Sequence, residues 1–336
     1  MLKQYLRNYP WYLQLLILIV LISAIFSLVT AGLLPIVLQK GFGVSLNEAA
    51  SVNEHSSPLV VRASLWVQCI SHIGIFTVPC LIFAYLAHPK PASYLGFRKA
   101  GKNIQYFWVI LTMLGAVPFF VGIEQWMRFL PLGNFAKEMQ EKNDQLWGAY
   151  LNFKTLGEML VALFVFAIVP AFGEELLFRS VLMRFAHKFT VHQGVMMNWD
   201  FENNTAGKVY KKPGMFFSVA VTSLLFALIH FNIYGFVSIL LAGVLLAMIY
   251  YLTGSIWCSM LAHLMNNGLQ VVLLYVFRDN ATWKAIVDGG SLPAFVPIVG
   301  GLVMVGGFYM LWRSRTPLPE NWSADFTVAE LAEKKS

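Results

Sequence analysis

Three small groups of polar residues interrupt stretches of this sequence that are otherwise apolar. Glu174, Glu175 and Arg179 stand together in segment 156–187, Phe226 and His230 close segment 215–231, and His263 and Asn267, with Asn266 beside them, fall in segment 256–277. A charge at membrane depth costs ~2.5–3.5 kcal/mol on insertion scales, so each such residue is a candidate for chemistry. On an α-helix Glu175 and Arg179 are one turn apart on one face, which suits an ion pair. Glu174 is turned by ~100° from Glu175. It shares its face with Phe178 and remains available. Phe226 and His230 share a face at the same spacing, as do His263 and Asn267. A free carboxylate, two imidazoles and an amide supply a general base, a second acid/base group and donors for an oxyanion. That set can activate a water. The sequence has no G-x-S-x-G, no H-E-x-x-H and no pair of intramembrane aspartates, and Ser180 has no histidine at helical spacing. Serine and aspartyl mechanisms therefore lack their residues.

The elements that must position these groups are membrane helices. Of 336 residues, 58% are hydrophobic and 12% charged, about half the charged share of a globular protein. Apolar residues run together over lengths that suit a bilayer, which needs roughly 20 per spanning helix. Nothing alternates as barrel strands do. The expected fold class is all-α, a polytopic transmembrane bundle of about eight spans, at 11–38, 65–87, 105–129, 156–187, 215–231, 233–252, 256–277 and 293–312. Lys and Arg are the more numerous on segments 1–10, 88–104, 184–214, 253–255 and 313–336, which puts both termini in the cytoplasm. The net charge of +7 then reports orientation, and no nucleic-acid partner is expected. Segment 131–155 reads as an interfacial helix, and 188–214 as a flexible inner loop touching anionic headgroups. Tail 316–336 reads as partly disordered. Cys69, Cys80 and Cys258 are apolar fillers. His72, one turn after Gln68, reads as a buried hydrogen-bonded pair, and His187 and His192 as solvated. Glu158 falls in the first turn of its span, where a carboxylate suits the helix dipole.

E-E-x-x-x-R (Glu174, Glu175, Arg179), F-x-x-x-H (Phe226, His230) and H-x-x-x-N (His263, Asn267) occur in that order on successive apolar spans. The neighbours Phe178-Arg179 and Thr253 to Trp257 add to the pattern. This arrangement resembles the CPBP family of intramembrane proteases, which includes type II CAAX prenyl endopeptidases and bacterial bacteriocin-processing or immunity proteins. The resemblance covers roughly 155–275. Ser180 stands where the family commonly has glycine, which would allow closer packing. The resemblance implies an intramembrane endopeptidase acting on a membrane-associated protein or peptide. Glu174 and His230 would activate the water, His263 and Asn267 would stabilise the oxyanion, and Glu175, Arg179 and Phe226 would support the site. The residues fit a metal-dependent or a metal-free centre, and no metal is the expectation. A zinc set of Glu174, His230 and His263 is the alternative, disfavoured because Asn267 is a poor zinc ligand and no further carboxylate stands behind the set.

The expected domains are 1–154, N-terminal helices and the interfacial segment; 155–277, the CPBP-like catalytic core; and 278–336, the last span and charged tail. The short loops suggest a bacterial plasma membrane. The competing reading is a catalytically silent scaffold or immunity protein on the same fold. A proton-relaying transporter would show a repeated half or paired broken helices, and neither is visible.

Overall fold

The computed structural model describes residues 5–189, 199–200, 205–206, 214–287, 290–318 and 322–323. Its longer helices are α1 (Trp11–Phe42), α2 (Pro58–Ala87), α3 (Ile104–Met127), α4 (Asn134–Leu151), α5 (Leu156–Phe189), α6 (Met215–Leu228), α7 (Phe236–Thr253), α8 (Ile256–Val276) and α9 (Phe295–Arg313). Among the described residues the only strands are a two-residue antiparallel pair, Trp199–Asp200 with Thr205–Ala206. The rest of 188–214, including His192, lies largely outside the described residues.

Six helices are long and apolar enough to cross a membrane: α1, α2, α3, α5, α7 and α9. The other two expected spans differ. Helix α6 is apolar but has 14 residues, so at 1.5 Å per residue it reaches ~21 Å, short of a ~30 Å hydrocarbon core. Helix α8 has 21 residues, and His263, Asn266, Asn267 and Gln270 dilute its apolar character. These are two of the three helices that carry the candidate site.

Three spans contain π-helical turns, Leu28–Leu33, Ile73–Thr77 and Phe164–Ile168. Each ends two residues before a proline: Pro35, Pro79 or Pro170. A proline cannot donate to the carbonyl four residues back, and its ring collides with that carbonyl. A widened turn relieves the collision without ending the helix. A fourth π-helical stretch, Leu176–Leu182, has no proline behind it and carries Arg179.

Helices α3 and α9 touch backbone to backbone. A Cβ on Gly300 would come 2.7 Å from the Gly115 carbonyl oxygen, the close approach that small residues permit between membrane helices. Segment 131–155 is helical as expected over α4, with Phe135 and Trp147 exposed on it. Thr155 and Glu158 form a capping box at the start of α5, so Glu158 satisfies backbone N–H groups as well as the dipole. A second box, Ser45 with Glu48, starts a one-turn helix. There the Ser45 hydroxyl and N–H hold the Glu48 carboxyl below its ordinary range. The three cysteines are free and buried.

The start of the tail is folded in. Thr316 N–H donates to the Leu252 carbonyl at 2.8 Å and Leu318 N–H to the Tyr251 carbonyl at 2.9 Å. Arg184 donates to the carbonyls of Tyr94 (2.7 Å) and Trp322 (2.6 Å). His187 is buried, with Nδ1 2.6 Å from Ser323 Oγ. The expectation of a solvated His187 is thus corrected: the tail covers it.

Candidate active site

The site is built around α5. Glu174, Glu175 and Arg179 are all buried, with Glu175 0% and Arg179 1% exposed. Arg179 Nε lies 3.2 Å from Glu175 Oε2, the ion pair that the one-turn spacing leads one to expect. Glu175 has two further partners on α8. His263 Nδ1 is 2.9 Å from its Oε1 and Ser259 Oγ 2.5 Å from its Oε2. A carboxylate with two hydrogen-bond donors and a cation beside it is stable at depth where a bare one is not. Arg179 also donates from an Nη to the Gly243 carbonyl at 3.2 Å and lies over the Phe226 ring at 4.7 Å.

Glu174 is held differently. Its Oε1 lies 3.5 Å from His72 Nε2 and its Oε2 3.9 Å from His263 Nε2. Oε2 is buried without a hydrogen-bond partner. The His263 ring therefore joins the two carboxylates: Nδ1 donates to the ionised Glu175 and Nε2 faces Glu174. Sequence reading distinguishes a structural carboxylate from an available one, and the contacts make that distinction.

His230 follows α6 in a turn and is exposed. It lies two residues past Leu228, where α6 ends. Its Nδ1 is 2.6 Å from the Phe226 carbonyl oxygen. A carbonyl only accepts, so Nδ1 carries the hydrogen and Nε2 keeps a lone pair. Among the described residues no hydrogen bond or ion pair joins His230 to Glu174. Phe226 links His230 to His263, its ring centroid 4.7 Å from that of the first and 5.8 Å from that of the second.

Asn267 reaches from α8 back to α5. Its Nδ2 donates to the Phe166 carbonyl at 3.0 Å and its Oδ1 accepts from Asn266. The residue four beyond Phe166 is Pro170, which has no N–H to give that carbonyl. Asn267 supplies the donor in its place and ties the two helices. One of its two amide hydrogens is so used; the other is not.

Ser180 has a local reason. Its hydroxyl donates to the Leu95 carbonyl at 2.6 Å, so the hydroxyl satisfies a buried acceptor where a glycine could not.

His72 is the site neighbour that the sequence reading assigns elsewhere. Gln68 is exposed, and His72 turns inward to Glu174. A histidine inside an apolar span is the signal that marks it, but its partner lies about a hundred residues away in sequence.

In this arrangement a carboxylate free of strong hydrogen bonds faces the Nε2 atoms of two imidazoles, beside a neutralised Glu–Arg pair. Such a centre can take a proton at Glu174 and pass it to a ring nitrogen. Residues 156–269 match a family model described as type II CAAX prenyl endopeptidase Rce1-like. No curated protein and no solved structure matches the chain.

Proposed function

We propose that this chain, whose residues 156–269 form a type II CAAX prenyl endopeptidase Rce1-like domain and place it with the CPBP intramembrane proteases, hydrolyses a peptide bond of a membrane-associated protein or peptide by glutamate-activated water. The observation that carries this reading is the loosely held Glu174 carboxylate beside the fully paired Glu175. In the proposed step Glu174 takes a proton from water as the oxygen attacks the scissile carbonyl carbon. Nε2 of His230 accepts a hydrogen bond from that water. The second amide hydrogen of Asn267 donates to the oxyanion, with the His263 ring beside it. Collapse of the tetrahedral intermediate breaks the C–N bond, and Glu174 returns its proton to the leaving amine. Glu175, Arg179 and Phe226 hold the helices and the His263 tautomer.

We read the centre as metal-free. In a zinc site with bonds of ~2.0–2.2 Å neighbouring ligand atoms lie closer together than the 3.9 Å between His263 Nε2 and Glu174 Oε2. The sequence expectation that no further carboxylate stands behind the set is corrected, since Glu175 Oε1 lies 2.9 Å from His263 Nδ1. Among the described residues no hydrogen bond or ion pair joins His230 to either Glu174 or His263. Among the described residues no group of three or more His, Cys, Asp or Glu side chains has ligand spacing. The distribution of Lys and Arg supports a topology with both termini on the cytoplasmic side.

Profiling of new peptide termini in membranes of cells carrying wild type or Glu174→Gln tests the function. Termini that depend on wild type support it and identify the substrate. Identical profiles at equal expression overturn it in favour of a silent scaffold.

A further inference from the structure

We propose that His72 is a positioning residue of this centre: its Nε2 holds the Oε1 edge of the Glu174 carboxylate and fixes the direction in which that group meets the proton. The proposal rests on Glu174 as the base.

Four observations converge on it. His72 Nε2 is 3.5 Å from Glu174 Oε1, with both side chains largely buried. That nitrogen has no hydrogen-bond partner, whereas the Nδ1 of His230 is held by the Phe226 carbonyl. The ring is stacked on Phe76 one turn later, centroids 4.4 Å apart at 28°, so its plane is set. Finally, the backbone gives way at the contact. A Cβ on Gly173 would come 2.8 Å from Thr77 Oγ1, 3.0 Å from Phe76 Cβ and 3.5 Å from His72 Cδ2. The bare Gly173 lets α5 approach α2 at the end of the π-helical turn Ile73–Thr77.

The contact is longer than an N–H···O bond of about 2.9–3.0 Å, as is the one from His263 on the other side. The carboxylate is suspended between two imidazoles, and contacts of this kind tighten when substrate binds. Helix α2 lies outside residues 156–269, so the N-terminal helices complete the centre as well as enclosing it.

The test uses the full-length protein in proteoliposomes and a quenched, farnesylated Cys-a-a-X peptide. Where wild type leaves that probe intact, the peptide found by terminal profiling replaces it. His72→Phe keeps the stack on Phe76 and removes the nitrogen. His72→Gln sets an amide nitrogen near the place of Nε2, and His72→Asn falls short of it. A misplaced catalytic group costs up to ~10²-fold. The expected result is a kcat for His72→Phe lowered by about that factor with KM little changed, and recovery of most of the rate in His72→Gln but not in His72→Asn. If the phenylalanine variant does not accumulate, the Gln and Asn variants decide, and equal rates overturn the proposal. A wild-type kcat in His72→Phe, with Glu174→Gln inactive, overturns the proposal alone. Activity in Glu174→Gln overturns the functional reading beneath it.

Discussion

Glu174 and Glu175 are adjacent, chemically identical and both buried, yet the same substitution should affect them in opposite ways. Glu175→Gln removes the charge opposite Arg179, which is 1% exposed. Breaking a buried ion pair from one side costs ~3–5 kcal/mol because the other charge is stranded. Arg179 keeps the Gly243 carbonyl and the Phe226 ring, which argues for the lower end, ~3 kcal/mol. The new amide also turns N–H groups toward the Ser259 and His263 donors. At 1.4 kcal/mol per tenfold, the unfolding equilibrium should move by roughly 10²-fold. Glu174→Gln loses two contacts of 3.5 and 3.9 Å and leaves no charge stranded, so it should cost less than ~1 kcal/mol, the net value of an ordinary hydrogen bond. Reversible unfolding in mixed micelles, followed by the fluorescence of the 10 tryptophans, reads both. Equal losses, or a larger one for Glu174→Gln, would refute the division into a structural and a chemical carboxylate.

Other expectations follow from the same contacts. Gly173→Ala should cost ~1–3 kcal/mol by overpacking against Thr77 and Phe76 and should lower kcat as α5 moves from α2; unfolding and cleavage assays read the two effects, and an unaffected rate contradicts the described α2–α5 contact. A metal chelator such as 1,10-phenanthroline should leave cleavage unchanged, and a loss restored by zinc would contradict the metal-free reading. Single cysteines in 88–104 should react only from the cytoplasmic side and those in 39–64 only from outside. The buried native cysteines leave the background low, and reversed labelling inverts the topology.

Much of the centre is legible in the sequence because its logic is local. The spacing of Glu175 and Arg179 implies their ion pair, and the turn from Glu174 to Glu175 implies separate environments. The apolar runs imply a helical bundle. Features that depend on long-range contact are not legible. His72 offers only Gln68 within a turn, and Glu174 becomes its neighbour once α2 packs on α5. Likewise His187 follows an apolar span into a polar segment and reads as solvated, whereas residues 322–323 return from the far end of the chain to cover it. The shortness of α6 is hidden because Ile229, Phe231, Ile233 and Tyr234 carry apolar residues on past Leu228 while the backbone has already turned. Asn267 reads as an oxyanion donor by type; its tie to Phe166 follows from Pro170, on another helix, lacking an N–H.

The central claim is that Glu174 moves the proton in peptide-bond hydrolysis. Its most direct test is the single-turnover cleavage rate of purified Glu174→Gln beside wild type, at matched folded fractions. General base catalysis is typically worth 10²–10⁴-fold, so the rate should fall by at least the lower factor while unfolding stability stays near wild type. A rate within a few-fold of wild type in a folded Glu174→Gln protein would contradict it.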